Sequence, residues 1–114
     1  MLIAGARKKL PLLKNGVSQV AVLVEDLDRA VEMYWQLLGI GPWRLYTYAR
    51  PFIRTMTYRG RPGDFAMRVG LAESGPLIVE LIQPLRGDSI YHDFVRAHGY
   101  GFHHVGVVVP DMKA

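Results

Sequence analysis

The 114-residue sequence contains no cysteine. That excludes disulfide staples, thiolate metal sites and cysteine nucleophiles, and it suits a reducing cytoplasm. No apolar run approaches the roughly 18 residues that a membrane span needs, so no membrane partner is expected. The opening MLIAGARKKLPLLKNG lacks the apolar stretch of about 7–15 residues and the small-residue cleavage site of a secretory signal. Acids are scarce in mid-chain: from Arg44 to Arg68 six arginines face one carboxylate, Asp64, and this window carries the whole excess of a net charge of +4. Trp43, Tyr46, Tyr48, Phe52 and Tyr58 interleave those arginines. Such a stripe can bind nucleic acid, hold a small anionic ligand or solvate the outer face of a sheet. No nucleic-acid motif accompanies it, so no nucleic-acid partner is expected. Ser-His-Asp, Walker-type and G-x-G-x-x-G patterns are also missing.

What is present reads as one small globular domain, half of it hydrophobic and 21% charged. Residues 17–24 predict a strand buried on both faces, with Val20, Val22 and Val24 on one side and Gln19, Ala21 and Leu23 on the other. Asp26 is placed to cap a helix whose apolar stripe is Leu27, Ala30, Val31, Tyr34, Leu37 and Leu38, and Gly39 is placed to stop it. Strand patterns follow at 43–50, 65–72 and 77–83, with an ambiguous stretch at 53–59 and a turn at Gly60–Gly63. Ser89 or Asp88 can cap a helix over 90–98 with Ile90, Phe94 and Val95 inward, and 102–109 predicts a further strand.

An internal repeat relates the two ends. Gln19–Asp26 matches His104–Asp111 at an offset of 85 residues, with Val20, Val22, Val24 and Asp26 repeated as Val105, Val107, Val109 and Asp111. Gln19 and His104 thus occupy equivalent places. Glu80 lies inside LIVELI, on the strand face of Ile78 and Ile82. A carboxylate among branched aliphatics is paired, protonated or bound to a cation, unless its strand is an edge that turns it to water. His104 is either a ligand or a satisfied strand histidine, on the face of Phe102, Gly106 and Val108. His103 is expected on the opposite face, and His92 and His98 on the exposed side of a helix. If the two modules pack side by side, amide, imidazole and carboxylate from Gln19, His104 and Glu80 converge on a donor set suited to a divalent ion.

At these residues the sequence resembles the vicinal oxygen chelate superfamily, which includes glyoxalase I, methylmalonyl-CoA epimerase, extradiol dioxygenases and bleomycin-resistance proteins. The matching text is QVAVLVEDLDRAVEMYWQLLGIGPW, the VELIQPL stretch with RGDSIYHDFVRAHGYG after it, and FHHVGVVVPD. The likeness is greatest to the methylmalonyl-CoA epimerase-like and glyoxalase I-like branch. It implies an α+β fold: a βαβββ module with a mixed, cupped sheet, then a helix and the first strand of a second, incomplete module. The implied division is an extension at 1–16, a first module at 17–84, a helical linker at 85–101 and the start of a second module at 102–114. The implied metal ligands are Gln19 (usually His in the family), Glu80 and His104. A fourth family ligand, a glutamate late in the second module, has no counterpart. The implied cofactor is a divalent ion (Zn, Ni, Co, Mn or Fe), with Glu80 also catalytic. The implied activity is that of an isomerase, epimerase or lyase that stabilises an enolate or enediolate of a small anionic carbonyl substrate such as a CoA thioester or glutathione adduct. The alternatives are a metal-free binding module of the bleomycin-resistance type and an inactive fragment of a two-module protein. A homodimer is expected, with the exposed edge of the last strand able to pair with a second copy and supply His104 in trans.

Overall fold

The computed structural model describes residues 16–49 and 56–106. The extension expected before residue 16, Phe52, Arg54, and the repeat positions Val107, Val109 and Asp111 with Val108 lie outside the described residues. In chain order the elements are β1 (Gln19–Leu23), α1 (Leu27–Leu38), β2 (Arg44–Tyr48), β3 (Thr57–Tyr58), β4 (Arg61–Pro62), β5 (Phe65–Ser74), β6 (Leu77–Gly87), α2 (Ile90–His98) and β7 (Gly101–Gly106). Five strands form one open mixed sheet in the order β2-β5-β6-β1-β7. β1 runs parallel to β6, and the other pairings are antiparallel. This is the α+β architecture that the pattern predicts.

The alternation along β1 sorts the core into two layers. Ala21 and Leu23 meet Val69 and Ile82 on one face, under Tyr91, Phe94 and Val95 of α2. Val20, Val22 and Val24 point to the other face, where Leu27, Val79 and Leu81 are buried beneath α1. Asp26 caps α1 by accepting a hydrogen bond from the Arg29 N–H at 3.2 Å. The apolar stripe of α1 stops sooner than its spacing predicts. Tyr34 meets Trp43 edge-on at 5.8 Å, but Leu37 and Leu38 are 73% and 65% exposed, because α1 rests on β5 and β6 and its last turn lies beyond that contact. In α2 the inward stripe is Tyr91, Phe94 and Val95, and Ile90 is exposed. Ser89, not Asp88, is the cap, accepting from the His92 N–H.

The predicted turn at Gly60–Gly63 is displaced. Arg59 and Gly60, with φ of 53° and 75°, form a two-residue hairpin turn, and Arg61-Pro62 already pairs with Thr57-Tyr58. β6 runs past the predicted end at residue 83. Its last residue, Gly87, has φ of 85°, and a Cβ there would stand 2.2 Å from the Asp64 carbonyl oxygen, so only glycine fits.

Asp93 ties the β3–β4 hairpin to α2. The Tyr58 hydroxyl donates to its carboxylate at 2.7–2.8 Å, and Arg59 and Arg96 donate to it as well. The Tyr58 hydrogen bond first, then those of Arg96 and Arg59, hold the Asp93 carboxyl below its ordinary value of 3.8. A depressed folded value means that the tie is intact above the unfolded value and is lost as pH falls through the folded one. An acid titration of the thermal midpoint should therefore show a fall below about pH 3.8 that is smaller in Asp93→Asn. An acid-induced fall of equal size in that variant would refute the tie.

Candidate functional site

The sheet brings together three residues far apart in sequence. Ala21 on β1 lies beside Glu80 on β6 and beside His104 on β7. Gln19 is two residues back on the same face of β1. The His104 Nε2 stands 3.9 Å from Glu80 Oε1, and the Gln19 amide lies near enough to the Glu80 carboxylate to favour its charged form. Amide, carboxylate and imidazole thus sit on three adjacent strands. Gly106 faces Gln19 across the β1–β7 pair, and a Cβ there would crowd Gln19 Cβ at 3.2 Å.

Glu80 is half-buried, between Leu71 on β5 and Ala21 on β1. Burial pushes its carboxyl up, while the His104 charge and the Gln19 hydrogen bond pull it down, and burial prevails. Burial and the Glu80 charge together raise the Tyr91 phenol on α2. Among the described residues no three His, Cys, Asp or Glu side chains gather at metal-binding spacing. The site's third donor is an amide.

One face assignment is reversed. A register shift between Ala21 and Val22 sets His104 opposite Ala21 but Phe102 opposite Val22, so His103 falls in a β-bulge. The bulge turns Phe102 out to solvent, at 59% exposure. It brings His103 to the His104 side, where its ring packs 5.1 Å from Tyr91 and 4.9 Å from Phe94. The Nδ1 atoms of His103 and His104 are 2.7 Å apart, so one ring donates to the other. When His104 is the donor, its Nε2 keeps a lone pair directed toward Glu80. Burial first, then the charge of His104, holds His103 below the usual imidazole range, which keeps it able to accept. Strict alternation missed His103; Gly101, with φ of 144° just before the bulge, is the local signal for it. Tyr91, not Ile90, is the inward residue of the first turn of α2, which the helical period alone does not show. His92 is half-buried rather than exposed, its Nδ1 2.7 Å from Ser89 Oγ. His98 is exposed, as expected.

A cavity of about 860 Å³ lies away from these groups, beside Asp28, Arg68 and Gln83. Some of its polar groups are satisfied internally: Arg68 forms a two-point pair with Asp28 at 3.0–3.1 Å, and Gln83 Oε1 accepts from the Leu27 N–H. Among the described residues no helix is long and apolar enough to cross a membrane.

Comparison with known proteins supplies a family and a set of folds. Residues 18–114 match the sequence family described as the Glyoxalase/Bleomycin resistance protein/Dioxygenase superfamily. No curated protein sequence matches significantly. A methylmalonyl-CoA epimerase from Mycobacterium tuberculosis superposes with a TM-score of 0.64 at 21% identity, over 93% of this chain and 63% of that one. A triple mutant of 4-hydroxymandelate synthase from Streptomyces coelicolor gives 0.60 at 20% identity, over 83% of this chain and 25% of that one. A hypothetical protein from Bacillus halodurans C-125 gives 0.56 at 18% identity, over 80% and 56%. At these identities the likeness is one of fold, and the chain spans less than two thirds of each of these proteins.

Proposed function

This chain belongs to the glyoxalase/bleomycin resistance protein/dioxygenase superfamily, and on that premise we propose that Gln19, Glu80 and His104 hold a divalent cation and that the protein is an isomerase, epimerase or lyase acting on the α-proton of a small carbonyl substrate. The observation that carries the reading is the meeting of these three side chains on one sheet face, with a carboxylate whose burial is not compensated by the neighbours it has. His104 Nε2 and Glu80 Oε1, 3.9 Å apart, would hold such a cation together with Gln19. The mixed nitrogen and oxygen set suits Zn, Ni, Co, Mn or Fe.

When bound, such an ion supplies Lewis-acid stabilisation of the negative charge that develops on a carbonyl oxygen as the adjacent proton leaves. The chain's residues do the rest. Gln19 orients the Glu80 carboxylate through its amide. His103 fixes the His104 tautomer. Glu80, its carboxyl raised above the ordinary value by burial, holds or moves the proton. Tyr91 and Leu71 flank that carboxylate and limit water around it. The reading includes a reducing cytoplasmic setting and a homodimer.

The test is hydrogen exchange at carbon. In D2O, with Mn²⁺, Co²⁺, Ni²⁺ or Zn²⁺ added singly, the full chain should wash deuterium into the α-position of methylmalonyl-CoA or of a glutathione hemithioacetal. The exchange should be lost on chelation and in His104→Ala. Absence of exchange with every ion and both compounds would overturn the enzymatic reading. Tight binding of either compound without any ion would favour a metal-free binding module instead.

A further inference from the structure

One lateral row crosses all five strands of the sheet: Arg44 on β2, Leu71 on β5, Glu80 on β6, Ala21 on β1 and His104 on β7. Partners in a row share a face, so Arg44 stands on the face of the three convergent side chains. Only Leu71 separates it from Glu80, a backbone span of two strand spacings, about 9.6 Å. A cavity of about 270 Å³ opens there, lined by Pro42, Arg44, Leu71, Ala72, Glu73 and Ile78.

Of the six other described arginines, Arg29 and Arg61 make no ion pair among the described residues and four are committed. Arg59, Arg68, Arg86 and Arg96 are each paired with an aspartate. Arg44 makes no ion pair or hydrogen bond among the described residues, although Glu73 lines the same cavity. Tyr46 and Tyr48 continue its face of β2, their rings 6.5 Å apart. The row therefore offers a guanidinium without a partner among the described residues, an apolar floor of Leu71 and Ile78, and the convergent site beyond.

We propose that Arg44 anchors an anion subsite that selects substrates bearing a carboxylate a few bonds from the reacting carbonyl. The inference rests on the reading of Gln19, Glu80 and His104 as the reaction centre. A guanidinium fork takes a carboxylate by two parallel hydrogen bonds. The cavity is below the roughly 300–1,000 Å³ of sites that enclose drug-sized ligands, so it takes the small acid rather than a nucleotide. Glu73 on its wall repels a second anionic group, which restricts it to a single charge.

The probes are levulinate, whose carboxylate lies three bonds from a ketone carbonyl, and its uncharged methyl ester. Both are titrated into the full chain by calorimetry, with and without Mn²⁺, whose own binding is read by water proton relaxation. Levulinate should bind at least about 10-fold more tightly than the ester, the discrimination of one charge-assisted bidentate pair. Arg44→Gln should erase that preference and leave the ester and Mn²⁺ affinities unchanged, and Arg44→Lys should restore part of it. Equal binding of acid and ester, no levulinate binding to the wild type, or a preference that survives in Arg44→Gln would overturn the subsite. Mn²⁺ binding without acid preference sinks the subsite alone. An Arg44-dependent preference without Mn²⁺ binding supports the subsite and removes the metal reading.

Discussion

Glu80→Gln is expected to lower divalent-cation affinity by at least about 100-fold and to abolish α-proton exchange. Losing a residue that merely orients a ligand typically costs 10–100-fold, and Glu80 is the one anionic donor of the proposed set. The same substitution should not weaken the metal-free fold at neutral pH. Burial raises the Glu80 carboxyl above its ordinary value of 4.5. An acid raised in the folded state binds its proton more tightly there than in the unfolded chain. Stability is therefore greatest while the group is protonated, and it falls as pH rises from about 4.5 through the folded value. Glutamine removes that fall while keeping the shape. Denaturant melts of the two metal-free proteins at pH 4, 6 and 8 should show a pH-dependent step in the wild type and a smaller one in Glu80→Gln. Retention of cation affinity by the variant would remove Glu80 from the site. A variant less stable at pH 8 would mean that the carboxylate makes structural contacts that the fold depends on.

Leu81→Ala should do the opposite. Leu81 is 0% exposed, and neighbouring strand residues point to opposite faces, so its side chain enters the layer beneath α1 while Glu80 enters the other. Removing a fully buried leucine side chain costs about 2–5 kcal/mol in transfer and cavity terms. Against a total of about 5–15 kcal/mol for a domain, that is a large fraction, worth a fall of the order of 10 °C or more in thermal midpoint. The denaturant midpoint should shift with little change in slope. Once folded, the variant should bind Mn²⁺ within about 2-fold of the wild type, the independence expected of side chains that share no partner. Together the two variants separate scaffold from site: one loses the ion and keeps the fold, the other weakens the fold and keeps the ion. A Leu81→Ala protein of unchanged midpoint would mean that the α1 layer is not the main core.

Much of this protein is written in local pattern. The alternation of β1, the Asp26 cap and the run LIVELI are each short-range signals, and each element formed where its pattern placed it. The repeat linking Gln19 to His104, with a carboxylate stranded among aliphatics at Glu80, makes the candidate donor set legible in the sequence. The inward faces of the helices are less legible in local pattern. Leu37, Leu38 and Ile90 fit the helical period, but period says only which residues share a side, not whether a strand lies beneath them.

The sequence by itself determined the main strands with their two faces, both helices and the residue types capable of holding a cation. Only the tertiary structure decided which groups meet. Parallel pairing of β1 with β6 and antiparallel pairing with β7 set the register, and register places Glu80, Ala21 and His104 in one row with Arg44 at its far end. The bulge that carries His103 to the same face arises from that pairing as well, because one extra residue must fit between two hydrogen-bonded strands. Contacts across strands are fixed by hydrogen bonds between segments some 60 to 85 residues apart in the chain, and no local pattern carries that information.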